Sequence, residues 1–363
     1  MTQKLNLTDI GLSERFKQEA SMYGSGFQLA RVSSQYKGMY RVMTANGEFP
    51  ATVSGKLGYL ASAAADYPVV GDWVLVGETD ERCTSAVIYH MLPRKSCVER
   101  RAAGVGSRRQ VIAANIDTLF ICMSLNNDYN LRRIERYLSI AWESMATPVI
   151  VLTKADLCGN AGEKIAEVRT VAPGVDVVVT SVLGVDGIEG IRGYLRKGRT
   201  VAFIGSSGVG KSTLINRLLG EEVLKTKDIR EDDGKGRHTT THRQLLVLPG
   251  YGVVIDTPGM REIKIASADM SKAFSDIEEL AETCRFRDCR HEAEPDCAVK
   301  QAVLDGKLSA KRFENYKKLQ REIAFDERKE TMTTAQAEKQ KTVDMMGSLN
   351  ARKMLKRNNR MKD

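Results

Sequence analysis

Gly205-Ser206-Ser207-Gly208-Val209-Gly210-Lys211-Ser212 is the stretch on which the reading of this chain turns. It fits G-x-x-x-x-G-K-[ST] and stands between an apolar run, Val201 to Ile204, that predicts a strand, and a segment from Lys211, KSTLINRLLG, that predicts a helix. Strand, glycine loop and helix in that order make a phosphate cradle. The glycines let backbone N–H groups curl round phosphate oxygens with no Cβ in the way, and the helix N-terminus adds a favourable dipole. Contacts to a nucleotide are therefore expected from Gly205, Ser206, Ser207, Gly208, Val209, Gly210, Lys211, Ser212 and Thr213. Within that set Lys211 would bridge the β- and γ-phosphates and Ser212 would ligate magnesium.

Working outward, Asp117 to Ala266 alternates apolar runs with helical segments: DTLFICMS, LRRIERYLSIAWESM, PVIVLTK, a helix around Glu163 to Val171, DVVVTS, TVAFIG, RQLLVLP and GVVIDTPG. Uninterrupted apolar runs of this kind are parallel strands buried on both faces. The strand Val149 to Leu152 leads into Thr153-Lys154-Ala155-Asp156, a variant of the N-K-x-D guanine motif. An aspartate there accepts both N1–H and the exocyclic amine of guanine, whereas adenine presents an acceptor and a donor on the corresponding edge. A site built on that pairing discriminates by roughly 10⁴ to 10⁵. Lys154 would lie along the base plane, and Ser181 stands where a backbone N–H reads guanine O6. Thr153 replaces the usual asparagine, which puts in question that residue's bonds to the base and to the phosphate loop. Asp256-Thr257-Pro258-Gly259 matches D-x-x-G, with Asp256 holding magnesium through water and the Gly259 N–H sensing the γ-phosphate. Between lies GKGRHTTTH, Gly234 to His242, which predicts a switch whose Thr240 closes on magnesium. GTP or GDP and Mg²⁺ are the expected ligands.

The motif order is guanine motif, serine loop, phosphate loop, switch threonine, D-x-x-G. Ordinary GTPases begin with the phosphate loop, so the domain reads as circularly permuted, an arrangement tolerated when the original termini lie close together at the surface. Met260 follows Gly259 where many GTPases place a water-orienting glutamine, and a thioether cannot do that work. Slow intrinsic hydrolysis, completed by another residue or by a partner, is expected.

Either side of this domain the composition changes. Five β-segments lie between Phe27 and Val98 (FQLARV, GMYRVMT, FPATVSG, DWVLVG, TSAVIYHML) and predict a small barrel, with the OB-fold in front. Tyr36, Tyr40, Tyr59 and Trp73 are either its core or stacking platforms for bases. Arg94 to Gln110 reads as a basic linker or exposed loop. Downstream, SKAFSDIEELAE predicts a helix, followed by Cys284-x₄-Cys289-x-His291-x₅-Cys297 and a polar helical stretch from about Ser309. Three thiols and an imidazole within fourteen residues suit one structural zinc ion in a closed Cys₃His site. The other four of the seven cysteines are scattered, which argues against a disulfide framework.

The 363 residues suggest about two or three domains. They divide as an extension, 1–26; an OB-fold β-barrel, 27–100; an α/β P-loop GTPase domain, 101–268; a small α-helical zinc-binding domain, 269–330; and a basic tail, 331–363. A net charge of +9 fits an anionic partner such as RNA, or merely a solvated basic surface. No apolar run approaches the ~20 residues of a membrane span, and the N-terminus lacks a secretory pattern, so a cytoplasmic protein is expected.

The permuted order, GRHTTT, DTPGMRE and CRFRDCRHEAEPDC together resemble the RsgA (YjeQ) family of small-subunit biogenesis GTPases over about residues 27–320. That resemblance implies an OB-fold, a permuted GTPase domain and a zinc domain acting late in small-subunit assembly near the decoding region. The implied partners are the small ribosomal subunit and its rRNA, with the protein itself a monomer. It also points to His238 as the catalytic switch residue beside Lys211, with His242 the competing candidate and a plain loop histidine the alternative for either. Two other functions stay open on the residues alone: an RNA-binding assembly factor without significant turnover, and a non-ribosomal permuted P-loop NTPase.

Overall fold

The computed structural model describes residues 5–36, 38–77, 84–101, 109–126, 128–181, 188–224, 243–257 and 270–331. Thr240, His238, His242, Gly259 and Met260 lie outside them. The described residues form two compact units, one holding the barrel and the parallel sheet up to residue 273, the other made mainly of the residues from Phe274 onward, with Arg101 and Arg109.

A short helix, α1 (Glu14–Ser21), precedes the barrel strands β1 (Phe27–Tyr36), β2 (Met39–Thr44), β3 (Gly47–Val53), β4 (Trp73–Gly77) and β5 (Ala86–Met91). The sheet closes on itself: β1 pairs with β2, β2 with β3, β3 with β5 in parallel, β5 with β4, and β4 again with β1. This is the expected five-stranded OB-like barrel. Alternation fills it, with Ala30, Val32, Val42, Ala51, Val74, Val76, Ala86 and Ile88 pointing inward. Tyr40 belongs to this interior, Trp73 is buried on the other face of the sheet against Phe16 of α1 and the Arg31 guanidinium, and Tyr36 and Tyr59 are exposed. One helix the sequence reading did not anticipate, α2 (Gly55–Leu60), links β3 to β4, its start capped by Ser54, whose hydroxyl accepts from the Leu57 N–H.

Arg94 to Gln110 is not simply a loop. Its ends are the strands β6 (Cys97–Arg101) and β7 (Arg109–Ala114), which pair with each other, and Cys97 and Val111 pack with Val69 and Ala114. Next come β8 (Thr118–Ser124), α3 (Leu131–Glu143), β9 (Thr147–Thr153), α4 (Ala161–Val171), β10 (Asp176–Val179), α5 (Glu189–Arg192), β11 (Thr200–Ile204), α6 (Lys211–Leu219), β12 (Arg243–Val247) and β13 (Val253–Asp256). Their order in the sheet is β10-β9-β8-β11-β13-β12, parallel except for β12. The strand leading into the phosphate loop, β11, is thus internal, and β8, β9 and β11 are buried along nearly their whole length.

Barrel and parallel sheet are stitched together. Ser34 and Gln35 of β1 pair with Gln244 and Arg243 of β12, so the two sheets run on as one of eleven strands. Beneath this seam Arg31 is buried and donates to the carbonyls of Ile10, Gly71 and Asn115, three separate segments. Burial lowers its pKa to about 10 against the opposing pull of Asp117 and Asp72. Gly71 adopts φ +93°, and a Cβ there would stand 2.2 Å from the Ala114 carbonyl oxygen, so only glycine fits. Asp72, buried, takes a bidentate pair from Arg94 at 2.8 Å; removing one member of such a pair typically costs about 3–5 kcal/mol.

α7 (Met270–Ala273) closes the first unit, with the Lys272 ammonium 5.8 Å from the Trp142 ring centroid of α3. SKAFSDIEELAE is therefore two helices rather than one, broken where Phe274 leaves helical geometry (φ −126°, ψ 38°). The second unit holds α8 (Ser275–Glu282), α9 (Ala298–Leu304) and α10 (Ala310–Thr331). Arg312 of α10 pairs twice with Asp276 at 2.7 Å and covers the Phe274 ring, and the Tyr316 hydroxyl donates to Glu278 at 2.9 Å.

Candidate functional site

The phosphate loop fills the turn between β11 and α6. Gly205, Gly208 and Gly210 have φ of +154°, +81° and +99°, backbone that residues with a Cβ seldom adopt. At Gly205 there is also no room: a Cβ would lie 2.6 Å from the Cys122 carbonyl of β8. Ser207 and Gly208 are exposed, Ser206 and Val209 buried. Lys211 is buried, and its ammonium donates to the carbonyls of Gly205 (3.0 Å) and Ser206 (2.9 Å), curling the loop into a ring around its own cation. Desolvation lowers the Lys211 pKa, with Cys122 and Asp256 acting the other way. An anion in the cradle would relieve that penalty. Ser212 and Thr213 occupy the first turn of α6, directly after the lysine.

The base-reading motif comes to this loop through the residue that departs from the usual pattern. Thr153 ends β9, is buried, and its hydroxyl donates to the Val209 carbonyl at 2.6 Å. A hydroxyl thus supplies a side-chain tie from the motif to the phosphate loop. Lys154 follows in left-handed conformation (φ +58°), which turns the chain out of the strand into the short turn that carries Asp156. Asp156 accepts from the Ser181 hydroxyl at 2.6 Å, and the Ala155 N–H donates to the Thr180 carbonyl at 3.2 Å. Thr153, Lys154, Asp156 and Ser181, separated in sequence, therefore share one edge of the sheet at the C-terminal ends of β9 and β10, where ligands of open α/β sheets bind.

Asp256 ends β13 beside β11 and is only 3% exposed. Burial pushes its carboxyl pKa up to about 6, with the Lys211 ammonium opposing. Next to it, the Thr257 hydroxyl donates to the Phe203 carbonyl. A buried carboxylate short of counter-charge and a serine hydroxyl at the helix start are hard oxygen donors, the kind magnesium takes. The residues present fit that ion.

In the second unit, ligand atoms of Cys284, Cys289, His291 and Cys297 lie within 4.8 Å of one another. Cys284 Sγ stands 3.9 Å from Cys297 Sγ and 3.7 Å from His291 Nδ1, and His291 Nδ1 is 3.3 Å from Cys297 Sγ. Zinc–sulfur bonds of about 2.3 Å at tetrahedral angles require sulfur–sulfur edges of roughly 3.8 Å, so the cluster has the size of a metal tetrahedron. Cys284 follows the end of α8, Cys297 caps α9 and accepts from the Lys300 N–H, and His291 is turned in by left-handed backbone (φ +56°). All four sequence-predicted ligands are brought together.

Sequence reasoning overlooked Asp128 and Arg133. They flank the phosphate loop and bond Ser206. The Arg133–Asp128 spacing is visible in the sequence, but nothing local announces its partner more than seventy positions away.

Taken together, the internal β11, the glycine ring and the order of motifs define a circularly permuted P-loop nucleotide-binding protein. Comparison with known proteins narrows the class. The family model for the RsgA GTPase matches residues 91–266. A model for ABC transporters also matches residues 188–357, a span that contains the phosphate loop. A Lactiplantibacillus plantarum protein named small ribosomal subunit biogenesis GTPase RsgA 2 is 47% identical, covering 97% of this chain and 98% of its own. RsgA 1 of Oceanobacillus iheyensis is 43% identical over 93% of this chain and 97% of its own. Among solved structures, YjeQ from Thermotoga maritima superposes with TM-score 0.61 at 28% identity, covering 82% of this chain and 99% of that one. YloQ, described as a circularly permuted GTPase, gives 0.60 at 24% identity over 83% and 96%, and speaks for the fold alone. The chain belongs to the RsgA GTPase family. GTP hydrolysis is the reaction of that family, with GTP, GDP and Mg²⁺ as its ligands. Among the described residues no helix is long and apolar enough to cross a membrane.

Proposed function

We propose that this protein is a GTPase that assists late maturation of the small ribosomal subunit, binding its rRNA and hydrolysing GTP slowly until the subunit stimulates it. The observation that carries the nucleotide half is the Thr153–Val209 hydrogen bond, which ties the base-reading edge to the phosphate loop in one site. The ribosomal half rests on near full-length similarity to proteins named for small-subunit biogenesis, supported by a net charge of +9 suited to phosphate backbones.

In this reading Asp156 and Lys154 select guanine, Ser181 lies by its O6, and Gly205 to Thr213 cradle the phosphates. Lys211 leaves its two loop carbonyls for the β- and γ-phosphates, exchanging neutral acceptors for charged ones. Ser212, Asp256 and Thr240 would hold magnesium, which when bound would supply positive charge against the transferred phosphoryl group. Gly259 would report the γ-phosphate. With methionine at position 260, the attacking water is oriented by His238, by His242, or by a group the ribosome supplies. Cys284, Cys289, His291 and Cys297 hold one structural zinc ion. The division of labour is barrel (27–100), GTPase domain (101–268), zinc domain (269–330) and basic tail (331–363), in a cytoplasmic monomer.

The test is GTP turnover by the purified protein with and without small ribosomal subunits, with Lys211→Ala as the blank. Strong stimulation absent from the variant is expected. Equal slow rates with and without subunits would remove the assigned partner.

A further inference from the structure

Ser206 is a buried member of the phosphate loop whose hydroxyl is bonded to residues outside the loop. Its hydroxyl donates to Asp128 Oδ2 at 2.7 Å. Arg133 Nη1 donates to the same carboxylate oxygen at 2.7 Å and to Ser206 Oγ at 3.2 Å. The three groups close a triangle in which the serine proton is committed to the carboxylate and its oxygen to the guanidinium. Asp128 lies in the turn after β8, and Arg133 in the first turn of α3, whose start is fixed by Asn130 accepting from the Arg133 N–H at 3.1 Å.

The consequence is mechanical. On one side, Gly205 is pressed against the Cys122 carbonyl of β8, where not even a methyl group fits. On the other, Ser206 is drawn toward the start of α3. The entry to the loop is therefore gripped between two consecutive elements, β8 and α3, while its far half is held separately by Thr153 through Val209. The exposed residues Ser207 and Gly208 lie between these two anchors. Their backbone N–H groups have no helix to hold them.

We infer that Asp128 and Arg133 are positioning residues for GTP binding: acting through the Ser206 hydroxyl, they hold the Ser206–Gly208 backbone in its phosphate-receiving conformation. This rests on the GTP-binding reading of the site. Arginine does this from a single guanidinium nitrogen, whose two N–H groups donate to the carboxylate and to the hydroxyl at once. The pair is partly exposed, with side chains 27% and 43% accessible, so its weight falls on loop geometry more than on global stability.

The full-length protein with Mg²⁺ tests this by titration with fluorescent GTP analogue and GDP, alongside thermal melting. Arg133→Ala and Ser206→Ala are each expected to weaken binding of the GTP analogue about tenfold with little change in melting temperature. The double variant should be no weaker than Ser206→Ala alone, since removing the hydroxyl already removes both of the bonds through which Asp128 and Arg133 act. Arg133→Lys should recover part of the loss. Wild-type affinity in Arg133→Ala, losses that add in the double variant, or a loss that follows the melting temperature with no recovery in Arg133→Lys would each overturn the inference. Failure of the wild-type protein to bind either nucleotide would instead bring down the GTP-binding reading, and this inference with it.

Discussion

The phosphate loop stands on a sheet that is complete without its ligand, whereas the cysteine cluster has little else to hold it in place. Around the loop, β8, β9, β11 and β13 are buried strands, and the loop's own lysine closes it into a ring. Among the described residues of the second unit the fully or nearly buried apolar ones are few: Phe274, Ile277, Val299, Ala302, Leu308, Tyr316 and Leu319 beside the cluster itself. A core that small rarely stands alone. A nucleotide is thus a visitor to the first unit, whereas a metal ion held by the cluster would be part of the fabric of the second.

The sharpest way to break this contrast is to remove the metal. Chelation, or Cys297→Ser, should unfold α8 to α10, because binding free energy of about 10 kcal/mol or more goes into folding such modules. Circular dichroism would report the lost helicity, and GTP binding measured in the same sample should persist. Loss of both together would show that the two units are not independent in this sense. Next in size, if Asp156 reads guanine as proposed, Asp156→Ala would remove two charge-assisted hydrogen bonds to the base, so GTP affinity should fall by about 3–5 kcal/mol with ATP affinity unmoved, as competition binding would show.

Asp256 offers a test within the first unit, where the framework carries a strain that its ligand relieves. A carboxyl raised to about 6 in the folded protein, above its unfolded value, contributes stability below the unfolded value and loses it as pH rises through 6. Nucleotide-free Asp256→Asn should therefore be about 2 kcal/mol more stable than the parent at pH 7.5, with the advantage gone near pH 4, while Mg²⁺-dependent hydrolysis is lost. Urea melts across that pH range measure it. The smallest effect is expected at Thr153→Val, which keeps the shape but leaves the Val209 carbonyl unpaired, costing about 1 kcal/mol of nucleotide affinity; Thr153→Ser should restore it.

What the sequence made legible follows local patterning. The barrel strands were readable because apolar and polar residues alternate between turn residues, and the parallel strands because they are apolar throughout. The permutation was readable from motif order alone, and the four cluster ligands from their spacing. What escaped depends on distant partners. The β1–β12 seam is a two-residue pairing between segments far apart in the chain, and the Asp128–Arg133–Ser206 triangle looks in sequence like ordinary helix-start polarity. Helix α2 was hidden by the two glycines in GKLGYL, which read as a turn, and β6 by a run of charges that resembled a linker. Phe274 looked like one apolar position in a continuous helix, yet it is where the helix breaks.

The seam has a consequence in time. During synthesis the barrel strand β1 leaves the ribosome long before β12, roughly two hundred residues later, so at ~5–20 residues per second Ser34 and Gln35 wait on the order of 10–40 s for their partners. For that interval the newborn chain carries an open sheet edge, the kind that pairs with strangers. The register shift between Val32 and Ser34, which bends β1 just before those two residues, then reads as a guard on an edge that has to stay solitary until the last strands arrive.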